Sequence, residues 1–426
     1  MTSRSESAEC YVYITLPGET EAVTAGRYEL GHDRHGVAIG RFVFGKSYLA
    51  RPDAVPFDPV ELRLLPRVYE TTLMNGVFGA LRDAGPDDWG RRIIEKHARK
   101  PQLGEIDYLL NSADDRAGAL GFGLGQKPPA PRRHFNQTLQ LAKLQAIADA
   151  VVEEEDERSS DSAATQISEL MLVGTSMGGA RPKAVVEDDE GLWLAKFNRP
   201  DDRWNNARLE HAMLTLGRAC GLTVAESRVV PVAGRDVLLV KRFDRERTEG
   251  GYLRARMVSA LTLLRAEDSH RARDRWSYVL LAEELRRSCA QPKKEANELF
   301  LRMCFSALIS NTDDHPRNHA LIAKERDWKL SPAYDLVPTS PVSLERRDLA
   351  LTCGDWGRYA NAENLLSQSA RFLLDRDEAV RIVDGMEAQV RGSWYRVARS
   401  VGVSERDCEL VRGAFAYPGF RLPLGK

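Results

Sequence analysis

Long apolar runs are missing from this sequence: nowhere do about 18 consecutive apolar residues occur, the minimum for a membrane-spanning helix. The stretch before Cys10 is polar and carries no apolar segment of the kind a secretory signal has. Both absences predict a soluble, unexported, cytoplasmic protein with no membrane partner. Cysteine is scarce and scattered, since Cys10, Cys220, Cys289, Cys304, Cys353 and Cys408 form no C-x-x-C pair. That speaks against a zinc finger and a disulfide framework, and suits a reducing compartment. Net charge is lacking as well. With 61 basic against 62 acidic residues, no overall field draws the chain onto nucleic acid or a membrane. No internal repeat is visible either.

What is present is ordinary globular composition, 43% hydrophobic and 29% charged over 426 residues. At about 150 residues each, that length predicts two or three domains. Residues 1–125 open with the alternating run Tyr11-Val12-Tyr13-Ile14-Thr15 and continue with a helical pattern over 69–83. A further helix starts at the acidic pair Asp87-Asp88, so the segment predicts a small α+β subdomain. Residues 126–165 read as a linker and helix: a proline-rich stretch at 128–133, one amphipathic helix over 139–152, and an acidic, serine-rich run. Residues 166–246 give the order strand, strand, helix, strand, strand, with an acidic turn at 188–191 and a tight turn at Ala233-Gly234. Helices dominate residues 247–426, where 298–309 is apolar over most of its surface, as a buried helix should be.

The densest polar cluster, residues 310–319, directly follows that apolar helix. Within it Asp313 and Asn318 have the D-x-x-x-x-N spacing of a kinase catalytic loop, in which the carboxylate takes the proton of the attacking hydroxyl and the amide oxygen holds magnesium. Two short apolar strands around a charged turn then lead to a second carboxylate, Asp335, the order that brings a metal-binding Asp beside the Asn. Phosphoryl transfer also needs cations for the nucleotide oxygens. Lys196 lies in an otherwise apolar strand and calls for a partner, and Glu210 on the next helix is the candidate. The run Gly174-Thr175-Ser176-Met177-Gly178-Gly179-Ala180-Arg181-Pro182-Lys183 lies just upstream, where small residues let backbone N–H groups approach phosphates. It is not a Walker loop, because Ala180 follows Gly179. Lys241 and Phe243, at the exit of the last strand, mark a hinge with room for an adenine ring.

Blander readings exist for each residue. Asp313-Asp314 could be a solvated loop, the Lys196 ammonium could snorkel, and His315 with His319 could bind zinc at i, i+4, although Pro316 disfavours the helix that would align them. The order glycine loop, Lys196, Glu210, hinge, Asp313, Asn318, Asp335 weighs against coincidence.

The chain resembles the HipA family of toxin kinases from bacterial toxin-antitoxin systems. The resemblance runs over nearly its whole length. It is carried by Asp107-Tyr108-Leu109-Leu110, Asp115-Arg116-Ala117-Gly118-Ala119-Leu120, Lys241-Arg242-Phe243-Asp244-Arg245 and Glu298-Leu299-Phe300, then by the run 309–319 and by Leu330-Ser331-Pro332-Ala333-Tyr334-Asp335. It implies an α+β, two-lobed protein-kinase-like fold: a small β-rich N-lobe over 166–246 with an added N-terminal subdomain, and a mostly helical catalytic C-lobe. It further implies an ATP- and Mg2+-dependent serine/threonine kinase, the toxin of a toxin-antitoxin pair. Such a toxin acts on a cellular protein, an aminoacyl-tRNA synthetase in the best-known members, and is neutralised by a DNA-binding antitoxin through which alone it would meet DNA. By similarity Asp313 is the base, Asn318 and Asp335 are the magnesium ligands, and His315 neighbours the phosphates. Lys196 is then the nucleotide lysine and Ser176 the autophosphorylated residue. Two departures stand out. Arg181-Pro182 replace the family's Gln-Glu, removing a backbone donor at Pro182, and Lys241 stands where a glutamate often precedes the hinge. A non-catalytic co-repressor that binds the antitoxin and a small-molecule kinase are the alternatives, and the intact Asp313, Asn318, Asp335 and Lys196 favour the protein kinase.

Overall fold

The computed structural model describes residues 8–131, 135–156, 181–269, 271, 273–339 and 343–424, so the glycine-rich run with Ser176, Gly178 and Gly179 lies outside the described residues. Two compact units divide the chain, one comprising 1–197, 242–269 and 321–328, the other 198–241, 270–320 and 329–426. Among the described residues no helix is long and apolar enough to cross a membrane.

The first unit is built on five antiparallel strands, β1 (Ala8–Thr15), β2 (Ala22–His32), β3 (Ala38–Phe44), β4 (Val68–Thr71) and β5 (Leu120–Gly123), in the order β4-β3-β2-β1-β5. Val12, Tyr13 and Ile14 of β1 are buried in succession, which alternation cannot do unless both faces of the sheet are covered. The helical pattern over 69–83 does not form one helix. Its first residues pair with β3, Tyr69 opposite Phe42, and only Gly79–Asp83 is α-helical. Between them Met74, Asn75 and Gly76 all have positive φ, at 50°, 56° and 81°. Three successive left-handed residues cannot continue a right-handed helix. The helix expected from Asp87-Asp88 does form, as Asp88–Ala98, with the Asp87 carboxylate accepting from the Gly90 N–H at 2.8 Å.

A second sheet in this unit contains β6 (Asn136–Gln137), β7 (Lys183–Asp188) and β8 (Gly191–Phe197), with β7 and β8 forming the expected hairpin around the acidic turn. Lys183 starts β7 in full burial and is paired there with Asp87, Nζ to Oδ2 at 2.5 Å, while the Trp89 indole donates to its carbonyl at 3.2 Å. Burying an ammonium costs several kcal/mol, about the size of the attraction a close carboxylate returns, so Asp87 is obligatory for Lys183.

The stretch Arg242-Phe243-Asp244-Arg245 explains its own charge pattern. Asp244 is 1% exposed. It accepts from Arg242 Nε on Oδ1 at 2.7 Å, and on Oδ2 from Arg242 Nη2 at 2.8 Å, Arg245 Nη1 at 2.7 Å and the Gly118 N–H at 2.9 Å. The two guanidiniums then donate onward to the carbonyls of Asp115, Arg116 and Gly118. Residues more than a hundred positions apart are joined by this one carboxylate. Burial by itself would raise the Asp244 carboxyl, but Arg242 and Arg245 hold it far below the usual carboxylate range.

In the second unit helix Asn206–Ala219 is capped by the Asn205 side chain and stops at Gly221, whose φ is +89°. Strands Ser227–Val232 and Arg235–Lys241 form a hairpin whose two turn residues, Ala233 and Gly234, both have positive φ, as a two-residue type I′ turn demands. Helices Tyr278–Ser288, Pro292–Leu308 and Arg376–Ser400 pack around the middle one, which is buried along most of its length as its apolar pattern predicts.

Candidate active site

Helix Pro292–Leu308 ends in a six-residue hydrogen-bonded cap, the Asn311 N–H donating to the Ser306 carbonyl at 2.8 Å, with Ser310 left-handed at φ +53°. Glycine is the usual residue there, and serine is held in place by its surroundings. Its Oγ donates to the Ala414 carbonyl at 2.6 Å and accepts from Arg347, whose guanidinium also donates to the Gly413 carbonyl at 2.7 Å and lies over the Tyr417 ring. This cap sets the direction in which residues 312–319 leave the core.

Two adjacent carboxylates on that loop face opposite ways. Asp313 is exposed, whereas Asp314 is 1% exposed. Asp314 Oδ2 accepts from the Tyr278 hydroxyl, from Ser306 Oγ at 3.0 Å and from His319 Nε2 at 3.1 Å. Burial would raise this carboxyl, yet His319, Tyr278 and Ser306 together hold it below the ordinary value. The Tyr278 hydroxyl is pushed far above its usual range by burial and then by the Asp314 charge. The Tyr278 and His319 rings meet edge to face at 5.5 Å.

A 3-10 turn, Pro316–Asn318, follows and buries Asn318, whose Nδ2 donates to the Asp313 carbonyl at 3.3 Å. That bond commits the amide nitrogen and leaves the amide oxygen as the side chain's remaining donor of electron density. The chain then passes through residues 321–328, which belong to the first unit, and returns at Lys329. The Ser331 N–H donates to the Ala320 carbonyl at 2.9 Å, so the return is registered on the departure. Segment 330–335 is fixed from three sides: Leu330 N–H to Glu295 at 3.0 Å, Arg302 Nη2 to the Ser331 carbonyl at 2.6 Å, and the Ala333 N–H to the Thr223 carbonyl at 2.8 Å. Tyr334 Oη then donates to the Arg317 carbonyl at 2.7 Å. The residues immediately before Asn318 and Asp335 therefore touch. Asp335 itself is half-buried with φ +58°, a conformation that costs a non-glycine residue about 1 kcal/mol or more.

The remaining sequence candidates divide between the units. Lys196, half-buried opposite Lys183 on β8, and the half-buried Phe243 belong to the first unit. Glu210, buried on helix Asn206–Ala219, belongs to the second, as does Lys241, whose Nζ meets Glu226 at 3.2 Å. His315 is half-buried next to Asp314 in the loop, and His319 faces Asp314. Sequence reasoning missed Tyr278 and Ser306 as partners of Asp314. A tyrosine at a helix start and a serine inside an apolar helix are ordinary residues until a buried carboxylate is seen between them.

A family model for the HipA-like C-terminal domain matches residues 175–394, just over half the chain, and the chain belongs to that family. A Haemophilus influenzae protein named "Putative kinase" is 26% identical over 186 residues, covering 39% of this chain and 54% of that protein. The Sinorhizobium fredii "Putative kinase Y4dM" is 29% identical over 179 residues, 39% of this chain and 41% of its own length. The Escherichia coli protein "Toxin YjjJ" is 28% identical over 181 residues, covering 39% of each. The chain thus spans about half or less of the length of the curated relatives it matches. Among solved structures, HipA of Shewanella oneidensis, determined with HipB and operator DNA, superposes with a TM-score of 0.66 at 17% identity, over 95% of this chain and 94% of that one. The chain shares that fold, the α+β, kinase-like class expected from the sequence.

Proposed function

We propose that the chain is an ATP- and Mg2+-dependent serine/threonine protein kinase and the toxin of a cytoplasmic toxin-antitoxin pair. The observation that supports this reading is an exposed Asp313 whose carbonyl accepts from the Asn318 amide, on a loop that also takes the Tyr334 hydroxyl, next to Asp335, at the Arg317 carbonyl. Asp313, exposed while its neighbour is buried, is the candidate to accept a proton from an acceptor hydroxyl. Magnesium suits the donor set. Among the described residues no group of three or more His, Cys, Asp or Glu stands together around one point, and magnesium needs none, since one or two protein oxygens complete its shell with nucleotide phosphates and water. Asn318 Oδ1 and the Asp335 carboxylate would hold it, and when bound it neutralises charge on the transferring phosphoryl group. Lys196 would orient the phosphates, with Glu210 as its candidate partner and His315 as a further candidate for them. Gly178 and Gly179 would supply backbone donors, and Lys241 and Phe243 would border the adenine. The Shewanella HipA was solved with its HipB partner and DNA, which supports a DNA-binding antitoxin as partner here and contact with DNA only through it.

Labelled ATP incubated with the chain, magnesium and a host protein extract tests this, and transfer to serine or threonine of a discrete target is expected. Absence of transfer to any protein, with Mg-ATP still bound, would favour the co-repressor. In the same reaction peptide mass spectrometry of residues 174–183 should find phosphate on Ser176. Its charge of roughly −1.5 to −2 there would repel ATP, and an unphosphorylated peptide in an active preparation would remove self-inactivation.

A further inference from the structure

Asp313 reaches solvent from a loop whose neighbouring residue makes three hydrogen bonds to three different parts of the second unit. Tyr278 is the first residue of helix Tyr278–Ser288, Ser306 lies in the last turn of Pro292–Leu308, and His319 follows the turn that carries Asn318. All three converge on one oxygen, Oδ2 of Asp314. A solvated loop needs no such anchor, and a buried carboxylate placed there costs free energy that apolar packing would not. We infer that Asp314 is a positioning residue. It bolts the loop to two helices on one side and to the Asn318 turn on the other, which fixes Asp313 and Asn318 relative to each other. This rests on the kinase reading for its catalytic consequence, but the bracing itself does not. Of the two adjacent carboxylates, one then orients and the other reacts. Asp314 acts through its neighbours and never on substrate, because both its oxygens are buried in the core and Oδ2 is taken up by these three donors.

The experiment compares wild type, Asp314→Ala, Asp314→Asn and Tyr278→Phe in the full chain. Amide hydrogen exchange across residues 311–319 should quicken about tenfold or more in Asp314→Ala, with helix Arg376–Ser400 unchanged. In the phosphotransfer assay kcat should fall about 10²-fold with the KM for Mg-ATP within about twofold, the pattern of a misplaced rather than a missing group. Asp314→Asn, which keeps an acceptor for Tyr278 and Ser306, should recover part of that loss, and Tyr278→Phe should lose less than Asp314→Ala. Unchanged exchange in the loop would overturn the inference. So would a lowered melting temperature with kcat per folded molecule near wild type. If Asp314→Ala does not fold, Tyr278→Phe decides by the same two readings. If the wild type transfers no phosphate, the kinase reading falls, and the exchange comparison alone judges the brace.

Discussion

Residues 242–245 of the first unit and 313–319 of the second are both crowded with charge, and they meet burial in opposite ways. At Asp244 both oxygens are taken, and both guanidiniums that reach them also donate to backbone carbonyls of the 115–118 loop. At the other stretch one carboxylate is absorbed and one is left outside. Even the absorbed one keeps a buried oxygen, Asp314 Oδ1, with no hydrogen bond, and the Nδ1 atoms of His315 and His319 are in the same position. Native structures satisfy most buried polar atoms, so a group of exceptions within a few residues asks for a reason. Saturation at Asp244 serves architecture, whereas the carboxylate held out of the braced loop is the candidate for chemistry.

Breaking the saturated cluster should have the largest effect on the fold. Asp244→Ala strands two buried guanidiniums and should cost about 3–5 kcal/mol, read as a fall in unfolding free energy by denaturant titration. A loss under about 1 kcal/mol would mean the cluster is not an architectural centre. Its pH dependence has a definite sign. The folded Asp244 carboxyl lies below its unfolded value, so its contribution is present above about pH 4 and is lost as pH falls below it. Wild type and Asp244→Asn should therefore converge in stability on acidification.

Asp335→Asn sharpens the other half of the comparison. Asparagine tolerates the left-handed backbone at this position, so the fold should stay intact, while loss of the carboxylate should weaken Mg-ATP binding by about tenfold or more, roughly 1.4 kcal/mol. Equal affinities by titration calorimetry would remove Asp335 from the metal site. The smallest effect belongs to a turn outside both clusters. Gly234→Ala places a side chain at φ +82° in a type I′ turn and should cost about 1 kcal/mol in unfolding free energy, whereas the same substitution at Gly385, exposed inside helix Arg376–Ser400 with open space around it, should gain roughly 0.5–1 kcal/mol.

Much of the candidate site is legible in the sequence because its members lie close together in the chain. Asp313, Asn318 and Asp335 fall within one loop and one return, and the apolar helix before them announces a rigid support. The β7–β8 and 227–241 hairpins are likewise local, each signalled by its own turn residues. What stayed hidden is what depends on distant pairing. Lys183 looks like any strand lysine until Asp87, nearly a hundred residues earlier, is found against it. Asp314 looks like the twin of Asp313 until Tyr278 and Ser306 close on it. The 69–83 stretch has a helical pattern, but pairing with β3 and three left-handed residues override it.

The most direct test of the division between an architectural and a chemical cluster is a single-turnover transfer assay with labelled ATP and magnesium on Asp313→Asn. Losing the base should slow transfer by about 10²- to 10⁴-fold, with Mg-ATP affinity within about threefold of wild type and unfolding free energy within about 0.5 kcal/mol, as for an exposed side chain. Transfer at close to the wild-type rate would contradict the account and take Asp313 out of the chemistry.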